Sequence, residues 1–288
     1  MELFNLGGVP EHFNLPWHHA IESGAFEKEG LEVAWKNFPG GTGAMCQALR
    51  EGSIDGALIL TEGIIKDIIA GNPSKIVKVY VASPLLWGVH VDAQSNFNAM
   101  QDLEHARIAI SRYGSGSQLM AKVNAVNQAF DVDTLNYVLV KNLTGGIDAL
   151  TDGEADYFMW EHFTTKPLVD EGIFRRIENV TTPWPCFVFA VRDEILASKQ
   201  LVVKRIIDVI NKVVKPFENA TDNDVLVSEF STRYQQQIND VKAWLEITKW
   251  DDQPTVSEEL IEDIQNKLVQ FGVIDHTVPY QQLAKKVL

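Results

Sequence analysis

The most constraining stretch of this chain is Ser111-Arg112-Tyr113-Gly114-Ser115-Gly116-Ser117. It lies between the apolar run Ile108-Ala109-Ile110 and a helical pattern over 118–128. A strand enters a Gly/Ser turn, and the turn opens a helix. The first N–H groups of a helix lack partners inside the helix, and the dipole there favours negative charge. Glycine lets a ligand approach the backbone, and serine hydroxyls add donors. Ser111, Arg112, Gly114, Ser115, Gly116 and Ser117 therefore read as one wall of a small-molecule site for an acidic or acceptor group. The competing reading is an ordinary strand–helix loop capped by serine.

The rest of the chain alternates in the same way. Strands read at 3–6, 31–35, 55–59, 75–82, 88–91, 107–110, 135–140, 155–159 and 186–191, separated by helical patterns and Gly- or Pro-rich turns. From Asp193 onward the pattern is almost wholly helical; Val203, Ile206, Ile207, Ile210, Val213 and Val214 keep the helical period. This is an α/β fold with parallel-rich sheets and a helical C-terminal segment.

An internal echo points to two such domains. Leu49-Arg50-Glu51-Gly52-Ser53-Ile54-Asp55 and Leu150-Thr151-Asp152-Gly153-Glu154-Ala155-Asp156 share the pattern Leu-x-acid-Gly-x-apolar-Asp. Each follows a Gly-rich helix start, and each leads into a strand, with Glu62 and Glu161 expected in the first turn of the next helix. The proline-marked segments around Pro84 and Pro183-Trp184-Pro185 read as two crossings between the halves. The expected division is 1–85 and 189–288 for the first domain and 86–188 for the second.

Composition narrows the function. The formal net charge of -14, with no Lys/Arg cluster, argues against nucleic acid as a partner. No apolar run reaches membrane-spanning length. Glu2-Leu3-Phe4-Asn5-Leu6 reads as a core strand directly after Met1, so no secretory signal is recognised and a cytoplasmic protein is expected. If a leader preceded this sequence, a periplasmic receptor with an ABC transporter as partner is the alternative. Cys46 and Cys186 form no disulfide framework and read as small buried side chains. No metal-ligand spacing appears, no cofactor is expected, and no nucleophile-elbow motif supports a triad of Ser115, His90 and Asp156.

Ligands of α/β sheets sit beyond the carboxyl ends of the strands. By that rule the loop with Pro10, Glu11 and His12, the turn with Gly41 and Thr42, the pair Thr61-Glu62, and Trp160-Glu161 join the 111–117 turn as candidates, lining one cleft. Pro84, Trp87 and Trp184 add the crossings, and Trp17 opens a helix on the same side. Each tryptophan is otherwise a core aromatic, as is expected for Trp35, Trp244 and Trp250. Glu62 and Glu161 are otherwise first-turn acids. His12 is either a pocket donor or a loop residue bonded to backbone.

The phrases Gly8-Val9-Pro10-Glu11-His12-Phe13, Phe26-Glu27-Lys28-Glu29-Gly30-Leu31, Gly40-Gly41-Thr42-Gly43-Ala44-Met45, Ser83-Pro84-Leu85-Leu86-Trp87, Met159-Trp160-Glu161 and Pro183-Trp184-Pro185-Cys186-Phe187 carry a family likeness. With the 111–117 turn, they resemble the two-domain periplasmic-binding-protein-like (type II) fold. The similar branch holds the taurine, nitrate and aliphatic-sulfonate receptors and the thiamine-pyrimidine-precursor proteins, in a subgroup without an export signal. The likeness covers roughly residues 1–220. It implies a solute-binding protein that closes on a small ligand. The thiamine-pyrimidine synthases of this fold carry a catalytic Lys and a His at positions that read here as Ile59 and Gly63, and a Cys-rich motif where only Cys186 stands. A related enzyme is therefore the weaker alternative, and an exported sulfonate or nitrate receptor is another. Paired helix starts, acids and tryptophans together favour an amphoteric or nitrogen-heterocyclic ligand, thiamine-precursor-like or amino-acid-like.

Overall fold

The computed structural model describes residues 1–287. The first pass of the chain gives β1 (Glu2–Gly8), α1 (Leu15–Glu22), β2 (Leu31–Asn37), α2 (Gly41–Glu51), β3 (Gly56–Leu60), α3 (Thr61–Ile69) and β4 (Ser74–Val81). Pro16 sits in the first turn of α1, where its missing N–H removes no helix bond. The middle of the chain gives β5 (Leu86–Asp92), β6 (Arg107–Ile110), α4 (Gly116–Gln128), β7 (Asn136–Leu139), α5 (Leu143–Thr151), β8 (Tyr157–Glu161), α6 (Lys166–Asp170) and β9 (Phe174–Thr181). The return gives β10 (Phe187–Arg192), α7 (Asp193–Ser198), α8 (Gln200–Val214), α9 (Asp224–Tyr234), α10 (Ile238–Ile247), α11 (Glu258–Gln270) and α12 (Tyr280–Leu283).

These elements form two compact units. One holds Met1–Ser83, Trp184–Val269 and the residues from Ile274 onward; the other holds Pro84–Pro183 with Gln270–Val273. The main changes of unit fall at Ser83/Pro84 and Pro183/Trp184, a few residues from the expected 85/86 and 188/189, and Gln270–Val273, expected in the first domain, groups with the second unit. The second limit moves because β10 pairs from Phe187 onward with β3 and β4.

The first unit's sheet has the order β2-β1-β3-β10-β4, and the second unit's has β7-β6-β8-β5-β9. β1 runs parallel to β2 and β3, and β10 runs antiparallel to β3 and β4. In the second unit β6 runs parallel to β7 and β8, while β5 runs antiparallel to β8 and β9. The sheets are therefore mixed, within the expected α/β build of parallel-rich sheets. Four strands of each share one direction, and one reversed strand is inserted between them.

The sequence echo is realised in hydrogen bonds. Asp55 accepts from the Asn5 backbone N–H at 2.7 Å, and its own N–H donates to Asn5 O at 2.8 Å. Asp156 accepts from the Arg107 N–H at 2.6 Å and donates to Arg107 O at 2.8 Å. In each unit the aspartate locks the central strand to its parallel neighbour. Gly52 (φ 73°) and Gly153 (φ 69°) end the preceding helices in the left-handed conformation that glycine adopts without strain.

The first unit packs Phe4, Trp17, Phe26, Tyr80 and Phe189 in its core, and α8, whose Val203, Ile206 and Ile210 are buried, lies against α1. The second unit's core gathers Ala109, Val140, Ala149, Leu150, Ala155, Phe158 and Phe174. Gly145 sets how closely α5 follows the turn after β7: a Cβ there would lie 2.0 Å from the Val140 carbonyl oxygen. Gly145→Ala is expected to cost about 3 kcal/mol of stability, because backbone rather than a pliable side chain must give way. Urea unfolding of the variant checks this; an unchanged midpoint would show that the turn adapts freely.

Candidate functional site

In the first unit the carboxyl ends of β1 and β3 and the start of antiparallel β10 lie at one end of the sheet. The loop after β1 is built tightly there. Asn14 Nδ2 donates to Val9 O at 2.9 Å, and Phe13 O accepts from Tyr80 Oη at 2.6 Å and Trp250 Nε1 at 2.9 Å. This fixes His12, which is 6% exposed and stacks on Phe13 at 4.7 Å. Burial holds the His12 imidazole down at about 3, so the ring is neutral at physiological pH. Its Nε2 has no hydrogen-bond partner among the described residues. Pro10 is exposed and Glu11 half-buried beside it.

The start of α3 is stitched to the segment that enters β10. Thr61 N–H donates to Cys186 O at 3.1 Å, and Thr61 Oγ1 donates to Pro185 O at 2.6 Å. Trp184 Nε1 donates to Glu62 Oε2 at 2.9 Å, and both side chains are buried. Burial pushes the Glu62 carboxyl up to about 7, against the bonds from Trp184 and its own backbone. The Cys186 thiol is raised by burial and, next, by the Glu62 charge; Cys186 is a free, buried thiol. Gly41 and Thr42 open α2, and Thr42 lies against Gly63: a Cβ at Gly63 would sit 2.3 Å from Thr42 Cγ2. Ile59 is fully buried in β3.

In the second unit the ends of β6, β8 and β9 and the start of β5 share one end of the sheet. The 111–117 turn is there, but its hydroxyls serve one another. Ser117 Oγ accepts from the Ser111 N–H at 3.0 Å and lies 3.0 Å from Ser115 Oγ, which caps α4 by accepting from the Gln118 N–H at 3.4 Å. Gly114 N–H donates to the Gln118 side chain at 2.7 Å. Ser115 and Ser117 are buried, Gly116 is half-buried as the first residue of α4, and Arg112 and Gly114 are exposed. The capping geometry of the plainer reading is therefore present, and Arg112 is the outward-facing charge of the turn.

Glu161 differs from the expectation. It is the last residue of β8, not a helix residue, and the chain turns before the short α6. Its Oε2 accepts from Thr164 N–H at 2.7 Å and Thr164 Oγ1 at 2.8 Å, so the carboxylate pins its own turn. Burial nevertheless raises its pKa. Glu62 and Glu161 are thus not equivalent positions of the echo: counted from Asp55 and Asp156, Glu161 matches Leu60. Trp87 is Glu161's cross-strand neighbour on β5, is 6% exposed, and has an unpartnered Nε1. Pro84 is exposed.

Two tryptophans are placed differently from the expected pocket walls. Trp17 is fully buried among Phe26, Tyr80 and Phe189, because its face of α1 turns onto the sheet. Trp160, one residue before the strand end, packs on Phe158 and the second unit's core. Trp244 and Trp250 are buried core aromatics, as expected, and the rings they contribute also pack around the His12 loop. Only their distance in sequence concealed this. A groove of about 210 Å³ lies at the opposite end of the second unit's sheet, between Asp92, Phe97 and Asp156, and holds none of the expected residues. No group of metal-ligating side chains is present among the described residues, and no described helix is long and apolar enough to cross a membrane.

Residues 87–180 match the family model for Ca3427-like periplasmic binding proteins. The CA3427 gene product of Candida albicans, described as defining a new family with the generic periplasmic-binding-protein fold, is 26% identical over 100% of this chain and 97% of that chain, with TM-score 0.90. The alkanesulfonate-binding protein SsuA of Xanthomonas axonopodis pv. citri, bound to MOPS, is 15% identical over 100% and 96%, with TM-score 0.78. The nitrate-binding protein NrtA of Synechocystis PCC 6803 is 15% identical over 96% and 83%, with TM-score 0.71. No curated protein sequence matches the chain. The chain has the periplasmic-binding-protein fold, in the likeness of the Ca3427-like proteins and of the sulfonate and nitrate binders.

Proposed function

We propose that this protein binds a small amphoteric or nitrogen-heterocyclic solute, thiamine-precursor-like or amino-acid-like. The observation that carries this reading is the concentration of buried polar and aromatic groups at one end of each sheet. His12, Glu62 and Trp184 gather in the first unit, and Trp87, Glu161 and the 111–117 turn in the second. Buried titratable groups among indoles suit a ligand with both donors and acceptors. Glu62, poised near neutrality, offers such a ligand an acceptor when ionised and a donor when protonated. The sulfonate and nitrate binders share the fold at low identity, so their ligands serve as comparison compounds.

A pyrimidine-synthase-like enzyme is disfavoured by packing. Ile59 is fully buried, and a histidine at position 63 would collide with Thr42. Mass analysis of compounds incubated with the protein separates the readings, since turnover would replace the binder by an enzyme. Cytoplasmic placement is proposed with it; a leader upstream in the genomic reading frame would instead make an ABC importer the partner.

A thermal-shift screen over pyrimidines, amino acids, sulfonates and nitrate tests the ligand class. A specific ligand at 100 times its dissociation constant adds about 2.7 kcal/mol of stability. A heterocycle or amino acid is expected to give the largest rise. Stabilisation by simple anions alone, unchanged in Glu62→Gln, would sink the proposed ligand class.

A further inference from the structure

Three unpartnered polar atoms of the first unit belong to one group of rings. His12 Nε2, Trp244 Nε1 and Tyr234 Oη are each buried and have no hydrogen-bond partner among the described residues. The His12 ring lies 4.2 Å from the Trp244 ring at 83°, and 6.0 Å from the Tyr234 ring at 72°. Phe13, Phe230 and Trp250 complete the surrounding faces. A buried donor or acceptor left unmade costs about 1–3 kcal/mol. Three such atoms within one group of contacting rings are costly unless partners satisfy them.

We propose that His12, Tyr234 and Trp244 form a subsite for the uncharged polar edge of a small ligand, such as the carbonyl and N–H of a lactam or an oxo-heterocycle. This rests on the solute-binding reading and names the group that is bound. The chemistry of the three side chains selects it. Indole N–H only donates, a phenol both donates and accepts, and a neutral imidazole offers one of each. An edge carrying both acceptor and donor answers this set, and the aromatic faces suit a flat ring.

The electrostatics argue against an anion. The positive charge that acts on Tyr234 is its neighbour Arg233, which is paired with Glu22 at 2.8 Å and with Glu229 at 3.9 Å. Burial raises the Tyr234 pKa, and of the nearby charges Arg233 opposes this while Glu229, Glu22 and Glu11 add to it. His12 is held neutral by burial. A sulfonate or nitrate would enter a desolvated place with acids around it and no free positive charge from these residues.

The test follows the side-chain indole resonance of Trp244 in ¹⁵N-labelled protein, assigned by its loss in Trp244→Phe. The probes are 2-pyrrolidinone, uracil, methanesulfonate and nitrate. The two neutral compounds are expected to shift this resonance saturably. Tyr234→Phe, which keeps the ring, is expected to weaken their binding about 5- to 10-fold, the loss of one hydrogen bond. A Trp244 resonance that neither lactam moves, or that methanesulfonate moves equally, overturns the subsite. Melting temperatures on the same samples separate the two failures. A rise without movement of Trp244 removes the subsite and keeps the binding reading; no rise with any of the wider screen removes the binding reading itself.

Discussion

Trp17→Ala is expected to lower the free energy of unfolding by about 3–5 kcal/mol. The indole is fully buried, stacked 5.8 Å from Phe26 and set edge-on to Tyr80 and Phe189 at 6.0 and 5.6 Å. Truncation removes both its transfer energy and its contacts, and the sheet behind it relaxes little. Trp17→Phe is expected to cost far less, because it keeps a ring and discards an Nε1 that has no partner among the described residues. The affinity of any ligand found in the screen should not change in Trp17→Phe. Chemical denaturation and a binding isotherm on the same variant check both halves. A ligand affinity that drops while stability holds would return Trp17 to the binding surface.

The second large effect concerns Glu62 and pH. Its carboxyl is raised from 4.5 to about 7 in the folded protein, chiefly by burial. Between those values the folded state binds more protons than the unfolded state, so stability falls as pH rises. Below about pH 4.5 the group contributes no penalty; above pH 7 the penalty is complete, at roughly 3 kcal/mol. Glu62→Gln removes the titration while leaving an oxygen for Trp184 Nε1, now 2.9 Å from the carboxylate. The variant is therefore expected to be about 3 kcal/mol more stable than the natural protein at pH 8 and equal to it near pH 4.5. Urea unfolding at several pH values reads this directly. Parallel curves for the two proteins would mean that Glu62 is not buried as described.

What could be read from the sequence was local. The strand–turn–helix around Ser111–Ser117 and the Gly52 and Gly153 helix ends depend on neighbouring residues, and they appear where the pattern placed them. The Asp55 and Asp156 echo was visible as spelling alone. Its meaning, a lock between adjacent parallel strands, needed the pairing. Glu161 was misplaced because β8 runs through Trp160-Glu161 before turning, and its continued ladder with β5 comes from a segment some seventy positions earlier.

The sequence by itself determined the alternation of strands and helices, the doubled architecture and the fold family, because periodicity and turn chemistry act over a few residues. Tertiary structure alone decided which strand reverses in each sheet, since β10 and β5 join strands that are far away along the chain. It also decided the fate of each tryptophan. An indole has the same chemistry in a core or at a sheet end; only packing put Trp17 among core rings, Trp184 on Glu62, and Trp244 against His12.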